Sequence, residues 1–129
     1  MIKFLIILLL TISPVVEAGE FRHFNDWTKK EKAEFIGYSA LVYIDYRQTS
    51  WTLNQKNELG NPIYYERNPI FGERPNKKDL LAAQILAAGV YYYMVGDSHD
   101  PFLRGAIFGL RLAVVVQNDN VGARIYKVF

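Results

Sequence analysis

Two apolar segments in the C-terminal half of the chain constrain its fold most. The first, 79–95, mixes Leu, Ile and Val with small residues and ends near three consecutive tyrosines. The second, 102–117, is apolar apart from Arg104, Arg111 and the final Gln117. Residues 96–101 between them read Gly-Asp-Ser-His-Asp-Pro, which is typical of a tight turn. The pattern predicts a helical hairpin that spans a membrane, with its tyrosines at an interface.

The N-terminus predicts entry into that membrane. Lys3 precedes an apolar run, 4–12, which Ser13 and Pro14 interrupt before small residues around Ala18. This order is typical of a secretory signal peptide, and the run is shorter than the roughly 20 residues of a membrane span. Residues 1–18 are therefore predicted to be a signal peptide or, if uncleaved, a signal anchor. Residues 19–129 are predicted to be a single helical membrane domain.

A third helix is predicted upstream of the hairpin. Thr28 and Glu31 have the spacing of a capping box, and the helix is expected to continue to about Leu53. A long polar connection, 54–78, follows it. The predicted fold is thus all-α, a small helical membrane bundle of three mature helices.

The distribution of basic residues predicts the orientation of this bundle. The connection 54–78 and the C-terminal tail carry Lys and Arg, whereas the turn 96–101 carries none. The positive-inside rule then predicts a bacterial inner (cytoplasmic) membrane protein whose mature N-terminus lies outside. Three lysines near residue 30 oppose this orientation.

Polar residues inside the predicted spans are the candidate functional groups. One set shares a face of the first mature helix, and the other recurs every seven residues in the last helix. An unpaired charge costs about 2.5–3.5 kcal/mol at a bilayer centre. We therefore expect Asp45 to lie opposite Arg111 or Arg104. A structural clamp and a binding or catalytic role both remain open for this set. Its members are Asp45, Gln48, Thr49, Arg104, Arg111 and Asn118.

The connection contains a second candidate site, formed by Glu66, Asn68-Pro69, Gly72 and Pro75. Pro69 disfavours helical geometry in the residue before it, and Gly72 permits a left-handed turn. One interpretation is a re-entrant turn that Glu66 and Asn68 tie down. The alternative is that Glu66 and Asn68 converge with Asp45 on a cation or a lipid headgroup.

Together these motifs resemble a known family. The order Asp45-x-x-Gln48-Thr49, then the motif from Glu66 to Pro75, then Asn118-x-x-x-Gly122 is similar to that of small multi-span membrane proteins in bacteria and their phages, for which no activity is assigned. The resemblance covers roughly residues 27–123 and implies an α-helical membrane protein. Two positions depart from the family pattern, because Tyr91 stands where a His is often found and Arg111 where a Glu is often found. These departures favour a structural or binding role.

Composition excludes several function classes. The chain has no cysteine, a net charge of +2 and no basic stripe, so disulfides, thiol chemistry and nucleic-acid binding are not expected. The motifs of common hydrolases, zinc proteases and nucleotide-binding proteins are absent from the sequence. The two histidines, His23 and His99, are expected to be solvated. We predict no metal site and no cofactor.

The sequence therefore favours a non-enzymatic membrane component that binds lipid or a membrane partner protein. Gly105 and Gly109, in small-xxx-small spacing, are predicted to support helix packing, including packing in a homo-oligomer. One alternative is a small membrane enzyme or ion-handling protein that uses Asp45 and Glu66. A second alternative is a secreted soluble helical protein.

Overall fold

The computed structural model describes residues 20–61 and 76–129, and the regular elements of these residues are helices. Three are long: α1 (Lys29–Asn54), α2 (Lys77–Gly96) and α3 (Pro101–Asn120). A 3-10 turn, Phe24–Asp26, precedes α1, and a single-turn helix, α4 (Ile125–Val128), follows α3. The all-α prediction is confirmed, and the three long helices cover the three predicted segments. The short helix α4 was not predicted from the sequence.

Two of the predicted regions lie outside the described residues. The first is the signal peptide or signal anchor, residues 1–18. The second is the loop motif, whose residues are Glu66, Asn68, Pro69, Gly72 and Pro75.

Each long helix begins at a polar residue that satisfies its first backbone N–H groups. Thr28 Oγ1 accepts from Glu31 N at 3.2 Å, and the Glu31 carboxylate accepts from Thr28 N at 2.8 Å. This reciprocal arrangement is the predicted capping box. Asn76 and Asp100 each accept from the backbone N–H two residues further on, which starts α2 and α3 slightly earlier than the apolar pattern predicts.

Helix α1 is the centre of the bundle and packs against both α2 and α3. The rings of Tyr38 and Tyr91 stack 4.0 Å apart, and contacts further along α1 reach earlier residues of α2, so these two helices are antiparallel. Contacts of α1 with α3 advance in the same direction, so this pair is parallel. We call the two ends of the bundle the Trp27 end and the Leu53 end.

The residues before α1 form an arm that covers the Trp27 end. Arg22 N donates to the Gly96 carbonyl at 3.0 Å, and the Trp27 indole donates to the Arg22 carbonyl at 2.9 Å. A Cβ on Gly96 would lie 2.3 Å from Phe21 Cζ, so this close approach requires glycine. The arm therefore packs against the end of α2 through backbone contacts, and a residue larger than glycine at position 96 would displace it.

Within the described residues, only α2 is long and apolar enough to cross a membrane by length and composition, with a mean hydropathy of 1.2 over its apolar stretch. Only 33% of that stretch is buried inside the protein, which is little for the core helix of a globular domain. The two arginines of α3 make that helix less apolar on average.

Candidate polar site

A cluster of polar side chains surrounds the buried carboxylate of Asp45 between the three long helices. Arg111 Nη1 donates to Asp45 Oδ2 at 2.6 Å, and Gln84 Nε2 donates to the same oxygen at 3.0 Å. Asn118 Nδ2 donates to Oδ1 at 2.9 Å, and Arg111 also donates to Gln84 Oε1 at 3.0 Å. We call these four residues the Asp45 cluster. The contact predicted between Asp45 and Arg111 is present.

Gln48 extends this polar interior toward the Leu53 end. Its side chain is fully buried, and its Nε2 donates to the carbonyls of Val115 at 3.1 Å and Ala123 at 3.0 Å. These two bonds tie α1 to the last turns of α3 and to the segment after it. Thr49, predicted on the same face, is only half-buried and lies outside this hydrogen-bonded set.

A second polar layer lies nearer the Trp27 end, and we call it the Glu34 cluster. Arg104 Nη1 lies 3.6 Å from Glu34 Oε1, and the Tyr91 hydroxyl donates to the same oxygen at 2.8 Å. The Tyr91 hydroxyl is also 3.2 Å from the Arg104 carbonyl oxygen. Arg104, the other predicted partner of Asp45, therefore pairs with Glu34. Because α1 and α3 are parallel, the earlier arginine of α3 meets the earlier acid of α1.

Three residues of these clusters were not predicted from the sequence. Glu34 precedes Asp45 by eleven residues, three helical turns, and so shares its face. Gln84 and Tyr91 lie seven residues apart in α2, the same heptad spacing that identified the arginines of α3. The heptad criterion applied to α2 would have found Gln84 and Tyr91, and the three-turn spacing in α1 would have found Glu34.

Gly37 differs from the two glycines predicted to pack helices, Gly105 and Gly109, in how closely another helix approaches it. Gly105 and Gly109 are exposed, and a Cβ at either would meet nothing within 4 Å in the described chain. Within the described residues, Gly105 and Gly109 therefore make no close contact with another helix. Gly37 does allow a close approach, because a Cβ there would lie 3.3 Å from Phe108 Cζ.

One of the two histidines is more buried than the sequence predicts. The side chain of His99 is only 6% exposed and its Nδ1 lies 3.4 Å from Asp97 Oδ2, so the prediction that it is solvated is wrong. The turn before α3 folds it back against the ring of Tyr93. His23 is exposed as expected. Among residues 20–61 and 76–129, no group of three His, Asp or Glu side chains is arranged to hold a metal ion.

A third ion pair joins the arm to the start of α1. Arg22 Nη2 lies 2.8 Å from Glu31 Oε1, with the two side chains 32% and 15% exposed. Hydrogen bonding from Arg22 lowers the pKa of Glu31 to about 2, and burial opposes this shift. The same bond raises the pKa of Arg22. The pair therefore stays charged across the physiological range.

The carboxylate oxygens of Asp45 are already engaged by other side chains of the cluster. Both carboxylate oxygens accept hydrogen bonds from side chains of α2 or α3, three bonds in all. An acid or base needs an oxygen within reach of the proton it moves. The geometry is that of a clamp joining three helices.

No protein-family model, curated protein or solved structure matches this chain. The distribution of polar and apolar side chains in the bundle therefore carries the functional argument.

Proposed function

We propose that this chain is a small integral protein of the bacterial inner membrane, a non-enzymatic component whose outer surface binds lipid or a membrane partner. The observation that carries the proposal is the inverted polarity of the bundle. Between the ends of the long helices, the charged side chains are at least partly buried and the exposed side chains are apolar.

The apolar outside is defined by the exposed residues of three stretches, 33–53, 80–96 and 102–116, and we call it the belt. Every exposed residue in these stretches is apolar, aromatic or glycine. The belt consists of Ala33, Ile36, Ala40, Tyr43, Leu81, Ala82, Ile85, Leu86, Gly89, Tyr93, Phe102, Leu103, Gly105, Ala106, Gly109, Leu110, Leu112, Ala113, Val114 and Val116.

The charged residues of the same stretches are all at least partly buried. Four of them form the ion pairs Asp45–Arg111 and Glu34–Arg104. The fifth, Arg47, is half-buried and donates to the Val128 carbonyl at the Leu53 end. Water-soluble proteins place paired or solvated charges outside and rarely expose apolar patches larger than a few hundred Å². In hydrocarbon the preference is reversed, because polar groups must be satisfied inside the bundle.

The dimensions of the belt suit a bilayer. Helices α2 and α3 have 20 residues each, about 30 Å at 1.5 Å per residue, which equals the thickness of a typical hydrocarbon core. Exposed lysines lie beyond both ends of the belt, at Lys29 and Lys30 on one side and at Lys77 and Lys78 on the other. The positive-inside prediction then places the Leu53 end in the cytoplasm.

The closed Asp45 cluster supports a non-enzymatic role. The enzyme alternative needs Asp45 to exchange protons or bind an ion, and its hydrogen bonds leave neither oxygen without a donor. The other residue of that alternative, Glu66, lies outside the described residues.

The test is Leu110→Lys, a substitution in the middle of α3 at a side chain that is 70% exposed. In a membrane, lysine at a helix centre costs about 2.5–3.5 kcal/mol, so membrane accumulation should fall severely. In water, an exposed substitution changes stability by at most about 0.5 kcal/mol. The matched control is Leu59→Lys, because Leu59 is 84% exposed in the polar connection outside the belt.

The readout is the amount of protein that stays in the membrane fraction after carbonate extraction. We expect the parent chain and Leu59→Lys to remain there, and Leu110→Lys to be depleted. Extraction of the parent chain by carbonate, or equal accumulation of both variants, would refute a membrane-embedded belt and favour a secreted soluble protein.

A further inference from the structure

The two polar clusters differ in how completely their hydrogen bonds are made. In the Asp45 cluster both carboxylate oxygens and the facing arginine have partners. In the Glu34 cluster, Arg104 is only 6% exposed, yet its buried Nε and Nη1 have no hydrogen-bond partner. Guanidinium groups are donors only, and an unmade hydrogen bond of a buried charged group is costly. Two of the three guanidinium nitrogens of Arg104 therefore lack acceptors.

Glu34 does not fill this need. Its Oε1 is 3.6 Å from Arg104 Nη1, outside hydrogen-bond range, and already accepts from the Tyr91 hydroxyl. Arg104 also lies in the first turn of α3, where the helix dipole adds positive charge to the arginine's own. A bound anion would neutralise both, and turning the guanidinium toward it breaks no existing side-chain hydrogen bond of Arg104.

The place of the Glu34 cluster in the bundle indicates the kind of anion. Arg104 is three residues, about 5 Å, from the start of α3, at the boundary between headgroups and hydrocarbon in the proposed orientation. Long side chains on a helix lie over the preceding turn, so Arg104 extends toward the Trp27 end. Beside it, Phe102 is 84% exposed and Leu103 is 41% exposed. An amphiphile with a charged head and an apolar tail matches this surface.

The carboxylate of Glu34 adds a second requirement. Its side chain is 21% exposed, so a ligand can approach it from outside the bundle. A ligand that brought a phosphate to Arg104 and an ammonium group to Glu34 would satisfy both charges. An aminophospholipid headgroup carries this pair of charges, as does its soluble counterpart phosphoethanolamine.

We propose that the Glu34 cluster binds a phosphate that bears a neighbouring primary ammonium group, with Arg104 holding the phosphate and Glu34 the ammonium. The lipid form of this ligand rests on the proposed membrane location. Tyr91 positions the Glu34 carboxylate by donating to it.

The test uses the purified full chain in detergent with four soluble probes: short-chain phosphatidylethanolamine, phosphatidylglycerol, phosphatidylcholine and free phosphoethanolamine. Binding is measured by calorimetry. We expect the ethanolamine lipid to bind tightest, because the trimethylammonium of the choline lipid donates no N–H and the glycerol headgroup carries no cation. Each lost charge-assisted hydrogen bond should weaken binding by about tenfold.

Variants assign the two charges separately. Arg104→Gln should weaken every phosphate probe, whereas Glu34→Gln should remove only the preference for ethanolamine over glycerol. Arg124→Gln is the matched control, because Arg124 is exposed near the Leu53 end and should bind like the parent chain. Arg104→Lys keeps the charge if the glutamine variant does not fold, and it should bind phosphate more weakly through its single ammonium group.

Equal binding of the three lipids, or unchanged binding by Arg104→Gln and Arg104→Lys, overturns the proposal. Free phosphoethanolamine binding as tightly as the lipid would overturn the lipid assignment in favour of a soluble ligand. Carbonate extraction of the parent chain would refute the membrane location independently, since calorimetry with the soluble probe reports on the site alone.

Discussion

The Asp45–Arg111 pair should be the most strongly coupled pair of side chains in the bundle. The side chains of Asp45 and Arg111 are 8% and 19% exposed, and the carboxylate has three donors. Asp45→Asn leaves the arginine as an uncompensated, mostly buried charge, so we expect a loss of about 3–4 kcal/mol in the free energy of unfolding. Arg111→Gln leaves the carboxylate with two amide donors and should cost less, about 2 kcal/mol.

The double variant Asp45→Asn/Arg111→Gln gives the decisive measurement. It carries no uncompensated charge, so its cost should be about 2 kcal/mol and the coupling energy about 3–4 kcal/mol. Stability is measured by denaturant titration in detergent, followed by circular dichroism. The equivalent cycle on Arg22 and Glu31, a more exposed pair, should give at most about 1 kcal/mol. Additive costs for Asp45 and Arg111, with no coupling, would show that the clamp does not hold the helices together.

Two further predictions concern the Trp27 end. Because the pKa of Glu31 is lowered to about 2, its ion pair with Arg22 should stabilise the fold fully above pH 4.5, and this contribution, about 1 kcal/mol after solvent screening, should be lost as the pH falls toward 2. The difference in melting temperature between the parent chain and Glu31→Gln should therefore vanish at low pH, and a constant difference would contradict it. Gly96→Ala should destabilise by about 1–3 kcal/mol, since the new Cβ would lie 2.3 Å from Phe21 Cζ. Gly89→Ala, with open space around its Cβ, should instead stabilise α2 by up to about 1 kcal/mol in the same thermal unfolding assay.

The sequence by itself determined the helical class and the position of the three long helices. Local signals are sufficient for this, because a capping box at Thr28 and a proline in the first turn of α3 act within a few residues of themselves. Heptad spacing also placed Arg111 and Asn118 on one face, and an unpaired charge in an apolar segment required a partner such as Asp45. Both features depend only on neighbours along one helix or on the cost of one charge.

The tertiary structure decided which partner each charge has. Whether Asp45 pairs with Arg104 or with Arg111 depends on the axial register of α1 against α3. Packing contacts such as the approach of Phe108 to Gly37 set this register. No local sequence pattern specifies this axial register. The same register brings Glu34 to Arg104, a contact that was not predicted from the sequence.

The inverted polarity of the bundle also emerged only in three dimensions. The sequence shows charges within apolar segments, but not whether they point inward or outward, since that depends on which face of each helix meets its neighbours. Packing turns Arg104 and Arg111 inward and leaves Leu110 outside. The physical reason is that periodicity fixes which residues share a face, and only the assembled helices decide which face is buried.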